Sequence, residues 1–329
     1  MTGLGTWQYN DTVAEAATRL ALDIGYTHFD TAWVYKNAAG IGKALASSPR
    51  PRSSYFITSK IMGGNATTTL AQHEEVLSLL GIEYVDLLLV HFPGAYDPKT
   101  KGFVGSRAAR QAQWKAMESL VVGGKARALG VSHCACSFAQ HTSWTERARC
   151  SLRFTARLES HLATNLDLCL SFAAYRADCK RHLQDVLDIA KVKVAVNQVQ
   201  FHVGMGSEGP GAVDDRAFDR AHGVLYQSFS SLCGPCGAAA HAELVSGPLV
   251  TRIGATHNKT GAQVSLKWLV QQGIPVIPKS SKRTHLLENL DLFDWKLSDA
   301  EMKELAEATY PPVDGNPGRL PTSGDCVVP

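Results

Sequence analysis

Four side chains of this 329-residue chain are of types that could share acid–base work: Asp30, Tyr35, Lys60 and His91. Asp30, Lys60 and His91 close short, mostly apolar runs, His28-Phe-Asp30, Phe56-Ile-Thr-Ser-Lys60 and Asp86-Leu-Leu-Leu-Val-His91, and Tyr35 follows Asp30 by five residues. Any one of them alone could be a polar strand end. Together they occupy the ends of three successive strands, and neighbouring parallel strands lie only about 4.8 Å apart, so their long side chains can converge. A buried Lys60 ammonium needs a counter-charge, which Asp30 supplies, and Lys60 in turn lowers the pKa of the Tyr35 phenol. A phenol that titrates near pKa ~10 is a poor proton donor at neutral pH until a cation and an imidazole stand beside it. No triad at metal-ligand spacing accompanies these residues, so the expected chemistry is organic acid–base chemistry with no metal.

The elements that must position them alternate. Val13, Ala17, Leu20, Ala21 and Ile24 mark one helix face over 11–24, followed by a strand at Thr27–Ala32. Helices around 38–47, 67–80 and 111–122 alternate with strands Tyr55–Lys60, Tyr84–His91 and Ala128–Ser132. After an irregular stretch come a helix at 180–190, strand Val194–Val199, a helix at 213–222, strand Val224–Phe229, helical segments between 240 and 272, strand Pro275–Lys279, and helices at 284–291 and 299–308. With Gly3–Trp7 as the first strand, eight strand ends fall near 7, 30, 60, 91, 132, 198, 229 and 279. That pattern predicts an α/β fold, a (β/α)8 TIM barrel in a single domain, with a doubly wound parallel sheet as the competing architecture. In a barrel the C-terminal strand ends face the active-site mouth, which brings the four groups to one place.

Composition narrows the class. The chain is 45% hydrophobic and 19% charged with a formal net charge of +3, enough for a large core and without a basic stripe for nucleic acid. No apolar run approaches the roughly 18 residues of a membrane span. No basic and apolar leader opens the chain, and eight cysteines are too sparse for a disulfide scaffold, so a cytoplasmic protein with neither membrane nor nucleic-acid partners is expected.

In this order and spacing, Gly3-Leu-Gly-Thr-Trp7, His28-Phe-Asp-Thr-Ala32 with Tyr35, Phe56-Ile-Thr-Ser-Lys60, Asp86 to Pro93, Gly130-Val-Ser132, Val196-Asn-Gln198 and Ile277-Pro-Lys-Ser280 resemble the aldo-keto reductases from residue 3 to about 308. The resemblance implies a monomeric, metal-free, NADPH-dependent enzyme that reduces aldehydes or ketones to alcohols. Tyr35 would protonate the carbonyl oxygen of a small-molecule substrate as hydride arrives from the nicotinamide, with Lys60 and Asp30 tuning it and His91 orienting the carbonyl. Thr6, Ser132, His133 and Gln198 would serve the cofactor, Ser132 and Gln198 at its carboxamide, while His133 stands where the family usually has an Asn. Phe229 would stack on the nicotinamide, where the family usually has Tyr, and Ser230 and Leu232 would approach the pyrophosphate. Lys279 and Ser280 would take the 2′-phosphate, and Glu288 and Asn289 the adenine. His285 stands where an Arg usually grips that phosphate, so Arg283 or Lys282 would compensate and keep NADPH preferred over NADH. Trp7 and Phe92 would line the substrate pocket, with residues 94–106, including Tyr96 and Phe103, as one wall. The family usually carries a β-hairpin before the first strand, so the true N-terminus is expected upstream of Met1.

Three segments stand apart. Gly204-Met-Gly-Ser-Glu-Gly209 matches a dinucleotide fingerprint, but Pro210 interrupts the helix start, so a loop is expected. Cys233-Gly-Pro-Cys236 has dithiol spacing in a Gly- and Ala-rich loop, where incidental thiols are the simpler reading and a regulatory disulfide the alternative. Ser132 and Gln198 are 66 residues apart, and residues 134–178 contain no Gly, Pro, Val, Ile, Lys or Met, yet hold four of the eight cysteines. That stretch reads as a lid, a partner-binding insertion or translated non-coding sequence, and its composition favours the last. Were it to displace Ser132, a nucleotide-binding but catalytically impaired or regulatory barrel would be the alternative function. Residues 310–329, rich in Pro and Gly, read as a C-terminal surface loop.

Overall fold

Apolar runs that are too short for helices become strands, and seven of them form one parallel sheet in the computed structural model, which describes residues 2–97, 102–132, 180–205, 215–232 and 238–308. The barrel strands are β1 (Leu4–Gly5), β2 (His28–Asp30), β3 (Phe56–Ile61), β4 (Val85–Val90), β7 (Ala126–Ser132), β8 (Val194–Gln200) and β9 (Leu225–Phe229), hydrogen-bonded in that order. Between β4 and β7 a small antiparallel hairpin, β5 (Ala95–Asp97) and β6 (Gly102–Val104), sets Tyr96 opposite Phe103 in the backbone register. The segment 94–106, expected as a loop, is therefore partly a hairpin.

The sheet closes on itself through residues 275–278. They do not form the regular eighth strand expected there: Val276 bridges Thr2 on one side and Ser228 on the other. The Gly3 and Gly5 amides donate to the carbonyls of Val276 (2.9 Å) and Pro278 (3.2 Å), and the Ser228 amide donates to that of Pro275 (2.9 Å). Pro275 and Pro278 have no N–H, so these residues can accept along the seam but cannot sustain a full ladder. Closure is tight: a Cβ on Gly5 would meet the Ile277 carbonyl oxygen at 2.5 Å.

Around the barrel run α1 (Asp11–Asp23), α2 (Ala38–Ala46), α3 (Ala66–Leu80), α4 (Arg107–Val122), α5 (Lys180–Leu187), α6 (Asp215–Ala221), α7 (Ala238–Ser246), α8 (Pro248–His257), α9 (Gly261–Gln271), α10 (Arg283–Leu290) and α11 (Asp299–Glu307). Side-chain caps start several of them: Asn10, Asn65 and Ser106 each accept from the amide three residues on. The Ser106 cap explains why α4 begins at Arg107 rather than near 111. Strand alternation divides the core. On β4, Leu88 and Val90 pack in the cluster that holds Trp114, Met117 and Ile57, while Leu87 and Leu89, on the opposite face, join Val196. No helix among the described residues is long and apolar enough to cross a membrane.

Candidate active site

The polar ends of the first barrel strands meet at the mouth. Asp30 ends β2 and Lys60 lies on β3, where Asp30 pairs in register with Thr58. Both side chains are almost wholly buried and form an ion pair through Oδ1 of Asp30. The Lys60 Nζ also donates to the Tyr35 hydroxyl at 3.2 Å and to the Thr31 carbonyl at 3.3 Å, so each of its three protons has a partner. The other Asp30 oxygen accepts from the Gln198 amide at 2.8 Å, and that amide also donates to Gln227 Oε1 at 2.9 Å.

Tyr35 sits on a single 3₁₀ turn, Trp33–Tyr35, which Lys36 ends in the left-handed conformation (φ 53°). Asn37 braces the turn from below by donating to the Thr6 and Tyr9 carbonyls while accepting from the Thr31 hydroxyl. His91 follows β4; its amide donates to the Ile61 carbonyl at 2.8 Å. The His91 ring meets Tyr35 edge-on, with centroids 5.6 Å apart, and stacks on Phe92.

Burial, the largest influence, lifts the Tyr35 phenol above its ordinary value; Asp30 adds to the lift, and Lys60 opposes it without prevailing. The net shift is therefore opposite to the lowering expected from Lys60 alone, because desolvation of a phenolate here outweighs one cation that is itself neutralised by Asp30. At neutral pH the phenol rests protonated, as a proton donor must. Burial pulls Lys60 down most strongly, but Asp30 and Tyr35 together raise it, so it remains an ammonium.

An aldo/keto reductase family model matches residues 1–151 and 230–309. The chain belongs to the aldo/keto reductase family. It is 30% identical over 308 residues to a 9,11-endoperoxide prostaglandin H2 reductase of Trypanosoma cruzi, covering 93% of this chain and 86% of that protein. It is likewise 30% identical over 306 residues to a glyoxal reductase of Bacillus subtilis, covering 92% and 86%. Among solved structures, an aldose reductase from Schistosoma japonicum superposes with a TM-score of 0.70 at 27% identity, covering 93% of this chain and 88% of that one. Carbonyl reduction of the general, NADPH-dependent aldo/keto reductase kind is the chemistry that this membership carries.

The residues expected to serve cofactor and substrate in this aldo/keto reductase barrel sit in the following places. Thr6 is buried and donates to the Asp30 carbonyl at 2.8 Å; Trp7 is half-buried and Phe92 buried. Ser132 ends β7 in register with Gln198 and donates to its carbonyl at 2.9 Å. Phe229 ends β9, and Ser230 turns the chain with φ 50° toward Leu232. Lys279 donates to Gln8 Oε1 at 3.1 Å, and the Ser280 hydroxyl accepts from the Lys282 amide at 3.1 Å. Arg283 is ion-paired with Asp23 at 2.8 Å, and His285 is exposed. Glu288 is half-buried and Asn289 buried, and the Tyr26 phenol donates to the Leu286 carbonyl on the same helix at 3.0 Å. His133, residues 134–178, Cys233, Cys236, Gly209 and the tail 310–329 lie outside the described residues.

The residue types fit NADPH: next to the acid–base cluster the Ser132 and Gln198 side chains, whose protons already have partners, offer oxygens that can accept from a carboxamide, followed by an aromatic ring at the next strand end (Phe229), then an ammonium and a hydroxyl (Lys279, Ser280). Among the described residues no group of three or more His, Cys, Asp or Glu is placed to hold a metal ion. Two contributors escaped notice in the sequence, Gln227 and Asn37. Gln227 interrupts an apolar strand two residues before Phe229, the same signal that marks Asp30, but one layer deeper.

Proposed function

We propose that the protein reduces small-molecule aldehydes or ketones to alcohols with NADPH, Tyr35 donating the proton. The observation that carries this reading is the shared Lys60 ammonium, bonded at once to Asp30 and to a phenol that rests protonated. Bound NADPH supplies the hydride. Lys60 holds the Tyr35 hydroxyl at the mouth and stabilises the phenolate left after proton transfer; Asp30 keeps Lys60 charged. His91, edge-on to Tyr35, orients the carbonyl oxygen toward the same hydroxyl. Ser132 and Gln198 would hold the carboxamide, Phe229 would stack on the nicotinamide, Ser230 and Leu232 would approach the pyrophosphate, and Lys279 with Ser280 would take the 2′-phosphate. Trp7 and Phe92 would wall the substrate pocket. The relative named glyoxal reductase supports small carbonyl compounds as substrates.

We further propose a monomeric cytoplasmic enzyme with one barrel over residues 1–329, interrupted by 134–178 and ending in the tail 310–329. The register of Ser132 with Gln198 across the two strands that flank this interruption favours turnover over a binding-only barrel. The test follows NADPH absorbance with a generic aromatic aldehyde. Consumption dependent on both enzyme and aldehyde is expected; binding of NADPH without consumption across a panel of aldehydes and ketones would overturn the assignment.

A further inference from the structure

The turn that carries Tyr35 has little to hold it locally. Its three residues include no fully buried one, no side chain caps its start, and a non-glycine residue ends it in the left-handed region. Besides the Asn37 brace and the Lys60 bond, helix α3 holds it from outside. Glu75 accepts from the Trp33 indole N–H at 2.6 Å and from the Lys36 ammonium at 3.3 Å, and that ammonium lies 3.7 Å from the centroid of the Trp33 ring. One carboxylate therefore ties the residue two before Tyr35 to the residue just after it. The hydrogen bond from Trp33, and then that from Lys36, hold the Glu75 carboxyl below the usual carboxylate range, so the tie is charged at neutral pH.

The same helix also grips the other half of the Tyr35–Lys60 pair. Gln72 lies three residues before Glu75, on the same helical face. Its Oε1 accepts from the Met62 amide at 2.9 Å, just past Lys60 on the exit of β3. Through Gln72 and Glu75, α3 spans the two segments whose side chains meet at 3.2 Å in the site.

We propose that Glu75 is a positioning residue for the proton donor: through Trp33 and Lys36 it sets the distance between the Tyr35 hydroxyl and Lys60. The inference rests on Tyr35 being the proton donor. If the tie is cut, the phenol drifts from Lys60, loses part of the cation's stabilisation of its phenolate, and its pKa climbs further. Small misplacements of this kind act on the chemical step.

The test compares Glu75→Ala, Glu75→Gln and Tyr35→Phe in the full-length protein, with thermal unfolding measured for each. Glu75→Ala is expected to lower kcat about tenfold with little change in KM. In the alcohol-oxidation direction, where the phenolate must accept the proton, its pH profile moves to higher pH. Glu75→Gln still accepts from the Trp33 N–H and recovers most of kcat. A Glu75→Ala enzyme with wild-type kcat and an unmoved profile, or a loss that merely tracks lowered thermal stability, would overturn the proposal. If Glu75→Ala has no effect while Tyr35→Phe is inactive, only this inference fails; if Tyr35→Phe keeps full activity, the reading beneath it fails.

Discussion

His28 lies one layer below Asp30 in the barrel, its Nε2 3.0 Å from the Thr58 hydroxyl and its ring edge-on to Phe56. Burial above all holds it neutral, with Lys60 adding to the effect and Asp30 and Asp86 opposing it, and its pKa falls from 6.5 to about 4. A folded-state pKa below the unfolded one means that the contribution is present above pH 6.5 and is lost as pH falls toward 4. The loss amounts to about 3 kcal/mol. His28→Gln should therefore flatten the acid limb of a stability-versus-pH curve measured by denaturant unfolding; a wild-type limb in that variant would show that other groups, such as His73 and His202, carry it. At this scale the sequence was legible where a polar residue ended an apolar run, as at Asp30, Lys60 and His91. It was opaque where the outcome depended on a balance: that Lys60 pulls Tyr35 downward follows from its charge, but that burial wins requires knowing how deeply the phenol sits.

Helix α4 shows how an element can be anchored by residues that carry no motif. Arg110 donates to one oxygen of the buried Asp185 on α5 through Nε (3.0 Å) and Nη2 (2.6 Å), and to the Gly105 (2.9 Å) and Pro93 (3.3 Å) carbonyls through Nη1. Three segments thus meet on one guanidinium: the stretch just after His91, the base of the β5–β6 hairpin and the helix that leads into β8. Arg110→Met leaves the buried Asp185 carboxylate with Arg107 alone, at 3.3 Å, and should destabilise by about 1–3 kcal/mol, whereas Arg110→Met with Asp185→Leu should recover most of that. Additive losses in urea unfolding of the two single variants and the double would contradict this coupling. Periodicity located α4 and α5 but not the contact between them, because an arginine on a helix face reads as solvated until its partner is seen. The Pro275–Lys279 run failed as a strand for a reason visible in its prolines, whose missing N–H groups leave only a seam.

The molecule is an aldo/keto reductase barrel closed between its first strand and residues 275–278. The strand order was legible because buried parallel strands are short apolar runs between amphipathic helices; 134–178 stands apart by composition alone and lies outside the described residues. On both sides of that stretch the described strands β7 and β8 pair directly, and α5 is held to α4 by Arg107 and Arg110. A variant lacking 134–178, with His133 joined to Cys179, should consequently fold and bind NADPH; failure to yield folded protein would assign the segment a structural role. The role of Tyr35 as proton donor is checked by single-turnover carbonyl reduction with Tyr35→Phe, NADPH binding being followed by fluorescence. Tyr35→Phe should bind NADPH as the wild type does and turn over at least about 100-fold more slowly, the lower range for loss of a general acid. Turnover at the wild-type rate with NADPH bound would contradict it.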